Sequence, residues 1–576
     1  MDLNPHLSTQ PQPKRSPLAD VLVLGAILTL ILGLIEMGRQ FHHPIQNEVD
    51  ISLSPWMLPF YTFLSFMRGA TAYILSFLFT LVYARWAAYD KQAERFLIPL
   101  LDILQSLPLS AFLVPIELAL VGLFPNSNLG IELSCIIVIF TGQVWNMTFS
   151  FYYSLKALPD DFRFVGHLVR YTPWQRFTRI EIPFATKGLV YNSMVSVAGG
   201  WFFLSLTEAF SLSPTQNCYV KGIGSYMAVA HDKNDGWAQL YAVIAMMLMI
   251  VAIDQLIWRP LIVWSNKFKI EDTEAEFQET SSVLRFLSRS RMVAWIGDKF
   301  GTIFLKPAPL PTTDTAVIAP PKQAGVASRI PWYKIFLGLC LCLIGYGGYL
   351  VFRLLWEVTL AQWLTVILDL LLTLVRVLTT VFISTLIAVP LGVWIGSNPK
   401  VTRYLMPFTQ MAASFPAPMI YANIVLIIYY MHGNLEWGSV VLMIFGTVWY
   451  IVFNVISGAS AVPQDLRACT QLTHLTRWQQ WRTLWLPGIF PALTTGWITA
   501  AGGAWNASIA SEYVTLGDKT YTATGLGALI TDAQNGQKFS LLAASVLAMA
   551  IFVVFFNRLV WKRLSAYAQE RFQLIT

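Results

Sequence analysis

Charged side chains inside apolar runs are the residues of this sequence whose chemistry is easiest to interpret. Arg68 and Arg376 lie near the starts of two long apolar runs, and Glu208 and Glu512 lie near the ends of two others. A charge within a membrane span is costly, so it commonly marks either a path for a solute or a buried ion pair. The arginines could attract an anion or anchor a helix through a carboxylate. These four residues are therefore our candidates for a translocation pathway, with structural pairing as the alternative.

The composition indicates that these residues belong to a membrane protein. Hydrophobic residues make up 55% of the 576 residues and charged residues only 12%, whereas soluble domains carry about 25% charged residues. The net charge of +7 comes from Lys and Arg in short segments between apolar runs, a pattern typical of cytoplasmic loops and not of a nucleic-acid partner. The five cysteines are scattered, so we predict no disulfide framework and no metal site. We expect an all-α polytopic protein in a lipid bilayer, without catalytic residues.

Twelve apolar runs are long enough to cross a bilayer. They fall near residues 20–37, 57–84, 99–123, 131–153, 188–210, 237–262, 333–355, 362–395, 405–430, 437–458, 491–513 and 540–561. A polar, Pro-rich stretch separates the first six from the last six and is typical of a linker that buries no core. We therefore expect a tail over 1–18, a six-helix domain over 19–263, a linker over 264–331, a second six-helix domain over 332–562 and a tail over 563–576.

The two sets of six runs form a parallel repeat. At an offset of 308 residues Arg68 matches Arg376, and at an offset of 304 Glu208 matches Glu512. Each half has an even number of spans, which preserves its orientation and predicts a pseudo-two-fold axis along the membrane normal. The Lys and Arg clusters all fall on one side if both termini and the linker are cytoplasmic. Such an axis suits a pathway between two similar halves.

A polar segment follows the fourth run of each half. The two copies are LPDDFRFVGHLVRYTPWQRFTRIEIP (158–183) and VPQDLRACTQLTHLTRWQQWRTLWLP (462–487). Their apolar residues recur at helical spacing, and Asp160 suits a helix N-terminus, where an acidic side chain offsets exposed N–H groups. Thr172 precedes a proline, which disfavours helix at that point. The pattern predicts a helix, a break and a second helix that project from the membrane. A solvated segment lying against lipid headgroups is the alternative.

These segments resemble the EAA loops of membrane subunits from bacterial binding-protein-dependent ABC importers. The tail of the family's loop is matched by Gln175 and Phe177 in the first copy and by Gln479 and Trp481 in the second. The position of the loop's glycine is occupied by arginine and histidine, which enter positive φ less readily than glycine. The chain is most similar to the nitrate, sulfonate, taurine and bicarbonate branch, with two subunits fused. The resemblance implies the fold of a type I importer permease.

The resemblance also implies partners and a mechanism. Each loop would insert a coupling helix into one of two separate ABC ATP-binding subunits, whose closure would switch the helices between inward- and outward-open states. The chain has no G-x-x-x-x-G-K-[ST] loop, so ATP and Mg would be bound by the partners and the chain itself would be no enzyme. The solute would be a small anion. A periplasmic solute-binding protein could dock on the outer segments around Gly222–Gly224 and Gly525–Gly527, in a bacterial inner membrane.

The residues that the resemblance assigns to the coupling loops occupy equivalent places in the two copies. They are Asp161, Arg163, Gly166, Arg170, Thr172, Trp174 and Gln175 in the first copy, and Asp465, Arg467, Thr470, His474, Thr476, Trp478 and Gln479 in the second.

Two other classes of membrane protein compete with this interpretation. A secondary transporter of the major facilitator type also has six plus six spans, a parallel repeat and a cytoplasmic linker. It has no need for a long polar segment after the fourth span of each half. A channel or scaffold would leave the duplicated segment without a purpose. ATP-driven uptake with a partner ATPase, as opposed to uptake driven by an ion gradient, separates the first two classes.

Overall fold

The computed structural model describes residues 16–42, 51–124, 127–213, 216–268, 281–295, 332–516 and 519–572. Helices dominate both halves within these ranges. The first half contains α1 (Pro17–His42), α2 (Leu58–Tyr89), α3 (Lys91–Ser106), α4 (Leu109–Leu123), α5 (Leu129–Lys156), α6 (Asp160–Leu168), α7 (Pro173–Arg176), α8 (Ile182–Thr207), α9 (Ile223–Asp232), α10 (Gly236–Ile253) and α11 (Arg259–Ser265), and α12 (Ser282–Leu287) follows it.

The second half repeats this order, so each of its helices bears the number of its counterpart plus twelve. Its helices are α13 (Trp332–Trp356), α14 (Leu360–Gly396), α15 (Pro399–Ser414), α16 (Pro418–Tyr430), α17 (Leu435–Ala461), α18 (Gln464–Leu472), α19 (Arg477–Gln480), α20 (Leu486–Glu512), α21 (Leu526–Asn535), α22 (Phe539–Phe556) and α23 (Lys562–Phe572).

Smaller elements repeat as well. An antiparallel hairpin follows the fifth long helix of each half, formed by β1 (Ala209–Ser213) with β2 (Gln216–Tyr219) and by β3 (Tyr513–Leu516) with β4 (Lys519–Thr522). A π-helical turn interrupts the fifth and sixth spans of each half at equivalent positions, at Phe177–Glu181, Asp254–Trp258, Trp481–Trp485 and Asn557–Trp561. The predicted parallel repeat is thus present down to single turns of helix.

Eight helices within the described ranges are long and apolar enough to cross a membrane, and two bent helix pairs raise the number to ten. The runs predicted near 333–355 and 491–513 lie on α13 and α20, which are not among these ten. Gly, Ala, Thr and Ser make up much of α20, which lowers its hydropathy. The structure therefore supports a mostly helical protein with many spans, but the predicted count of twelve is not confirmed.

The third run of each half is two helices and not one. α3 and α4 meet at 93°, and the second pair, Tyr404–Ser414 with Pro418–Tyr430, meets at 86°. In both halves the residue between the two helices precedes a proline, which disfavours helical backbone at that residue. Leu107 and Phe415 accordingly have extended backbone, with ψ of 133° and 128°. The bend turns the tip of α3–α4, and of its counterpart, toward the opposite half.

The halves pack against each other in a reciprocal way. α3 and α4 contact α22 and α20, and α15 contacts α8 and α10. The buried core of the first half includes Met419, and the core around α14 and α20 includes Ala111. Each bent pair therefore lies against the last two long helices of the other half, as a two-fold axis requires.

The predicted linker is partly structured where it is described. Ser290 donates a 2.6 Å hydrogen bond to Asp20 at the start of α1, and the Met292 N–H donates to the same carboxylate at 3.2 Å. The rest of the linker, 269–280 and 296–331, lies outside the described residues, as does most of the predicted tail 1–18. The predicted tail 563–576 is helical as far as Phe572, whose ring lies 5.1 Å from that of Phe490.

Gly396→Ala should destabilise the second half. A Cβ at this last residue of α14 would lie 2.6 Å from the carbonyl oxygen of Ile456 in α17, and backbone cannot yield as a flexible side chain does. Overpacking of this kind costs about 1–3 kcal/mol, which thermal unfolding in detergent can detect. Gly25→Ala in α1 is the control, because its Cβ meets nothing within 4 Å and alanine favours helix. Equal effects of the two substitutions would contradict this packing.

Candidate functional site

We call residues 158–183 the first knob and residues 462–487 the second knob. The predicted helix, break and helix are present in both, as α6 then α7 and as α18 then α19. Arg170 and His474, at the position of the family's glycine, adopt positive φ of 54° and 50°. The Tyr171 N–H donates to the carbonyl of Gly166 at 3.0 Å, and the second knob has the equivalent 3.3 Å bond. This is a Schellman C-cap, whose hydrogen bonds offset the strain of a left-handed residue other than glycine.

A capping box starts the second helix of each knob. The Thr172 hydroxyl accepts a bond from the Gln175 N–H at 3.2 Å, and the Gln175 side-chain oxygen accepts from the Thr172 N–H at 2.9 Å. Thr476 and Gln479 make the same reciprocal pair at 3.4 and 2.9 Å. Four of the predicted coupling residues therefore shape the knob, because their side chains satisfy N–H groups that the helix leaves unpaired.

Two arginines anchor the knobs to the long helices before them. Arg163 donates to the carbonyl of Leu155 at 3.2 Å, and Arg467 donates to that of Ala459 at 2.7 Å. Both carbonyls lie in the last turn of a helix, where a cation is favoured by the helix dipole. α5 and α17 therefore fix the directions in which the knobs project.

The knobs expose apolar side chains on an otherwise polar segment. Phe164, Leu168 and Trp174 are 67%, 71% and 56% exposed in the first knob, and Leu472 and Trp478 are 78% and 75% exposed in the second. Several large apolar side chains exposed within one short segment make that segment a candidate contact with another protein.

The remaining predicted knob residues have distinct places. Asp161 and Asp465 are exposed in the first turns of α6 and α18. Gly166 is buried so that a Cβ would lie 3.0 Å from Ile180, and the Thr470 hydroxyl donates to the Arg467 carbonyl at 2.8 Å.

The candidate pathway residues of the first half form a buried ion cluster, the first clamp (Arg68, Glu132 and Glu208). Arg68 donates to both oxygens of Glu132 at 2.6 and 2.7 Å, and to Glu208 at 2.8 Å. Arg68 also donates a hydrogen bond to the backbone carbonyl of Lys221 at 2.9 Å. All three charged side chains are at most 1% exposed. The cluster joins α2, the start of α5, the end of α8 and the loop before α9.

The second half contains the equivalent second clamp (Arg376, Glu436 and Glu512). Arg376 pairs with Glu436, donates to Glu512 at 3.0 Å and donates to the carbonyl of Thr524 at 2.7 Å. This clamp is less enclosed, because the Glu436 side chain is 42% exposed. The structure thus brings each predicted arginine together with the predicted glutamate of its own half. This is the structural pairing that we gave as the alternative to a role in the pathway.

The Gly-x-Gly motifs of the two outer segments hold the clamp carboxylates. A Cβ on Gly222 would lie within 2.4 Å of both carboxylate oxygens of Glu208, and the Gly224 N–H donates to that carboxylate at 2.7 Å. Gly525 and Gly527 make the same arrangement in the second clamp, with a 2.8 Å bond. A side chain at the first glycine would displace the carboxylate, which explains why both copies carry glycine there.

Sequence reasoning missed Glu132 and Glu436 as partners of the arginines. Both lie in the first turn of a long helix. The signal was available, because the offset of 304 residues that matches Glu208 with Glu512 also matches these two glutamates.

A cavity of about 350 Å³ lies between the halves, under the bend of α3–α4 and against α5, α8, α17, α20 and α22. Its polar wall includes Thr141, Asn146, Thr499, Asn506 and Asn557. None of the four predicted pathway residues is among the residues that line it. Their part in transport therefore stays a prediction, and their observed contacts are those of the clamps.

The charge of this cavity is concentrated in one ion pair. Asp102 and Lys562 are the only Asp, Glu, Lys or Arg side chains among its described lining, and they lie 2.5 Å apart. Over the part of the chain that the structure describes, no group of three or more His, Cys, Asp or Glu residues could hold a metal ion.

Arg68→Gln should cost about 3–5 kcal/mol of stability, because it leaves two buried carboxylates without their cation. Arg376→Gln should cost less, because solvent already reaches Glu436 in the second clamp. Thermal unfolding of the two variants in the same detergent provides a matched comparison. An Arg68→Gln loss no larger than that of Arg376→Gln would contradict the difference in burial between the clamps.

Comparison with known proteins identifies the family. A model of the family described as "Binding-protein-dependent transport system inner membrane component" matches twice, over residues 76–257 and 388–561, which together exceed half of the chain. Each match begins within the second long helix of its half and runs to the sixth, and includes one knob and both glutamates of one clamp. The clamp arginines, Arg68 and Arg376, lie before the matched residues.

Curated relatives match about a third of the chain. The nitrate import permease protein NrtB of Synechocystis sp. is 25% identical over 31% of this chain and 61% of its own length. The bicarbonate transport system permease protein CmpB of Synechocystis sp. is 25% identical over 33% of this chain and 62% of its own length. The taurine transport system permease protein TauC of Escherichia coli is 23% identical over 31% of this chain and 61% of its own length. The chain thus spans about three fifths of each of these relatives. The doubled family match shows that this chain belongs to the binding-protein-dependent transport system inner membrane components and contains two such units in one multi-pass membrane protein.

Proposed function

We propose that the chain forms the transmembrane pathway of an ATP-driven ABC importer for a small anion. The two knobs carry this proposal. They share a Schellman turn, a capping box and an arginine anchor, and both expose apolar side chains away from the helices that hold them. Selection of the same rigid projection twice is explained most simply by a partner present in two copies.

Each knob is the proposed contact for one ATP-binding subunit. Exposed Leu168 and Trp174 in the first knob, with Leu472 and Trp478 in the second, would fill an apolar groove of that subunit. The half-buried arginine anchors would transmit force, because a push on a knob would act directly on the end of α5 or α17. ATP and Mg would be bound by the partners, and the chain would move solute without catalysing a reaction.

The cavity between the halves is the proposed passage. Its volume of about 350 Å³ and its amide and hydroxyl groups suit a small polar solute. The names of the relatives, which refer to nitrate, bicarbonate and taurine, support a solute that carries an anionic group. Arg68, Arg376, Glu208 and Glu512 would serve the passage by fixing the helices around it.

The proposed orientation places the knobs, both termini and the linker in the cytoplasm of a bacterium, with the chain in the inner membrane. The hairpins and the short helices α9 and α21 lie beside the clamps, at the end of α5 and α17 opposite to the knobs. They would therefore face the periplasm. A periplasmic solute-binding protein would then dock over the two hairpins. Basic residues of the knobs, including Arg170 and Arg176, agree with this orientation.

Disabling both knobs should abolish ATP-driven uptake without unfolding the chain. Leu168→Asp with Leu472→Asp places a charge on each exposed apolar surface, which would prevent docking while leaving the anchors intact. The readout is uptake of nitrate, bicarbonate and taurine into proteoliposomes that contain the ATP-binding partner, beside thermal unfolding of the chain. Loss of uptake with unchanged thermal unfolding is expected.

The matched control is Arg170→Gly with His474→Gly, which removes two knob side chains but keeps the left-handed turns. This control should retain uptake and relieve backbone strain of roughly 1 kcal/mol at each turn. Uptake that persists in the aspartate variant, or that runs on an ion gradient without ATP, would favour a secondary transporter of the major facilitator type and reject the proposal.

A further inference from the structure

The single ion pair of the cavity joins the two halves. Asp102 lies on α3 of the first half, and Lys562 begins α23 of the second. Their side chains are 19% and 51% exposed, and Arg558 lies 4.0 Å from the same carboxylate. All other described lining residues are uncharged. Among the described lining residues Lys562 is thus the one cation, and Arg558, outside that lining, is a second cation close to the same carboxylate.

Two further polar contacts join the halves beside this pair. Asn557 donates to the Ser106 hydroxyl at 2.7 Å, and the Ser110 N–H donates to the Asn506 side-chain oxygen at 3.1 Å. Both asparagines line the cavity and belong to the second half. One wall of the cavity therefore consists of polar bonds between α3–α4 and the opposite half.

The other side of the pseudo-two-fold axis lacks this arrangement. The counterpart of Asp102 is Gln410, which donates to the sulfur of Met194. The counterpart of Lys562 is Arg259, which pairs with Asp254 of its own half at 3.3 Å. The space at this side is only about 20 Å³. The cross-half ion pair is thus specific to the open side and is not a consequence of the repeat.

The pair lies toward the knob end of the molecule. α23 begins at Lys562 and packs beside the start of α20, as the contact between Phe572 and Phe490 shows. α20 in turn follows the second knob. Separation of Asp102 from Lys562 would therefore open the cavity at the end where the knobs project.

An anion and Asp102 compete for the same ammonium. A solute anion that approaches Lys562 is repelled by the carboxylate already bound there, because like charges in one site disfavour each other. It can bind well only if the carboxylate moves away. The carboxylate is tethered and therefore always present at high local concentration, so the site is weak, as release into the cell requires.

We propose that Lys562 is the anion site of the passage and that Asp102 is its resident counter-ion. A small anion takes the place of Asp102, breaks this one of the polar contacts that join the halves beside the cavity, and so loosens the exit when the cavity is loaded. This proposal rests on the proposed function for the class of solute and for the direction of its exit.

Binding of nitrate to the purified chain in detergent, measured by isothermal titration calorimetry at constant ionic strength, tests the assignment without any ATPase. Asp102→Asn should tighten nitrate binding about two- to fivefold, because a partly exposed competing ion pair is removed. Lys562→Gln should abolish binding, and Lys562→Arg should retain it. Asp254→Asn is the matched control, because it breaks the counterpart pair outside the cavity, and it should leave affinity unchanged.

The same titration with bicarbonate and with taurine distinguishes the chemistry of the solute. Taurine carries an ammonium as well as a sulfonate, so the displaced Asp102 can bind it, and Asp102→Asn should weaken taurine while it strengthens nitrate. Equal affinity for nitrate in wild type, Asp102→Asn and Lys562→Gln would overturn the assignment, as would absence of binding to wild type. The proposed function would be rejected by a different result, namely the absence of ATP-dependent uptake in proteoliposomes.

Discussion

A carboxylate buried at the end of a membrane helix is costly unless a cation and hydrogen-bond donors surround it. Both halves of this protein satisfy that requirement in the same way. Glu208 accepts from Arg68, from the Ser65 hydroxyl and from the Gly224 N–H, so one carboxylate holds α8, α2 and α9 together. The remaining contacts of Arg68 then fix the start of α5. The positions of four elements thus depend on one charged group, and the long helices carry that positioning to the knobs at the opposite end.

The repeat preserves the clamps and the knobs and varies the contacts between the halves. The clamps and knobs agree in backbone geometry, even where the residues differ, as with arginine and histidine in the two left-handed turns. The contacts between the halves do not agree. On one side Asp102 reaches across to Lys562 beside a cavity, and on the other Asp254 pairs within its own half beside nearly closed space. A fused chain permits such divergence, whereas two identical subunits would have identical sides.

The sequence contained the repeat, the helical class and the projection of the knobs, because periodicity and matched Trp, Pro and Gln positions report local structure and duplication. The charges within apolar runs also selected Arg68 and Glu208, yet the pairing of Arg68 with Glu132 and Glu208 depends on which helices are neighbours. Gln175 matched a family motif, but only its hydrogen bond with Thr172 shows that it caps a helix. The bend after Ser106 followed from Leu-Pro chemistry that a count of apolar residues ignores. Contacts between halves, such as that of Asp102, have no local signature at all.

We propose that one chain forms a pathway moved by two ATP-binding subunits through two equivalent knobs. Native mass spectrometry of the chain purified with its ATP-binding partner tests this most directly. We expect one copy of this 64.8 kDa chain with two ATP-binding subunits, and one subunit fewer when either knob alone carries the aspartate substitution. A complex with a single ATP-binding subunit, or one whose composition does not change when a knob is altered, would contradict it.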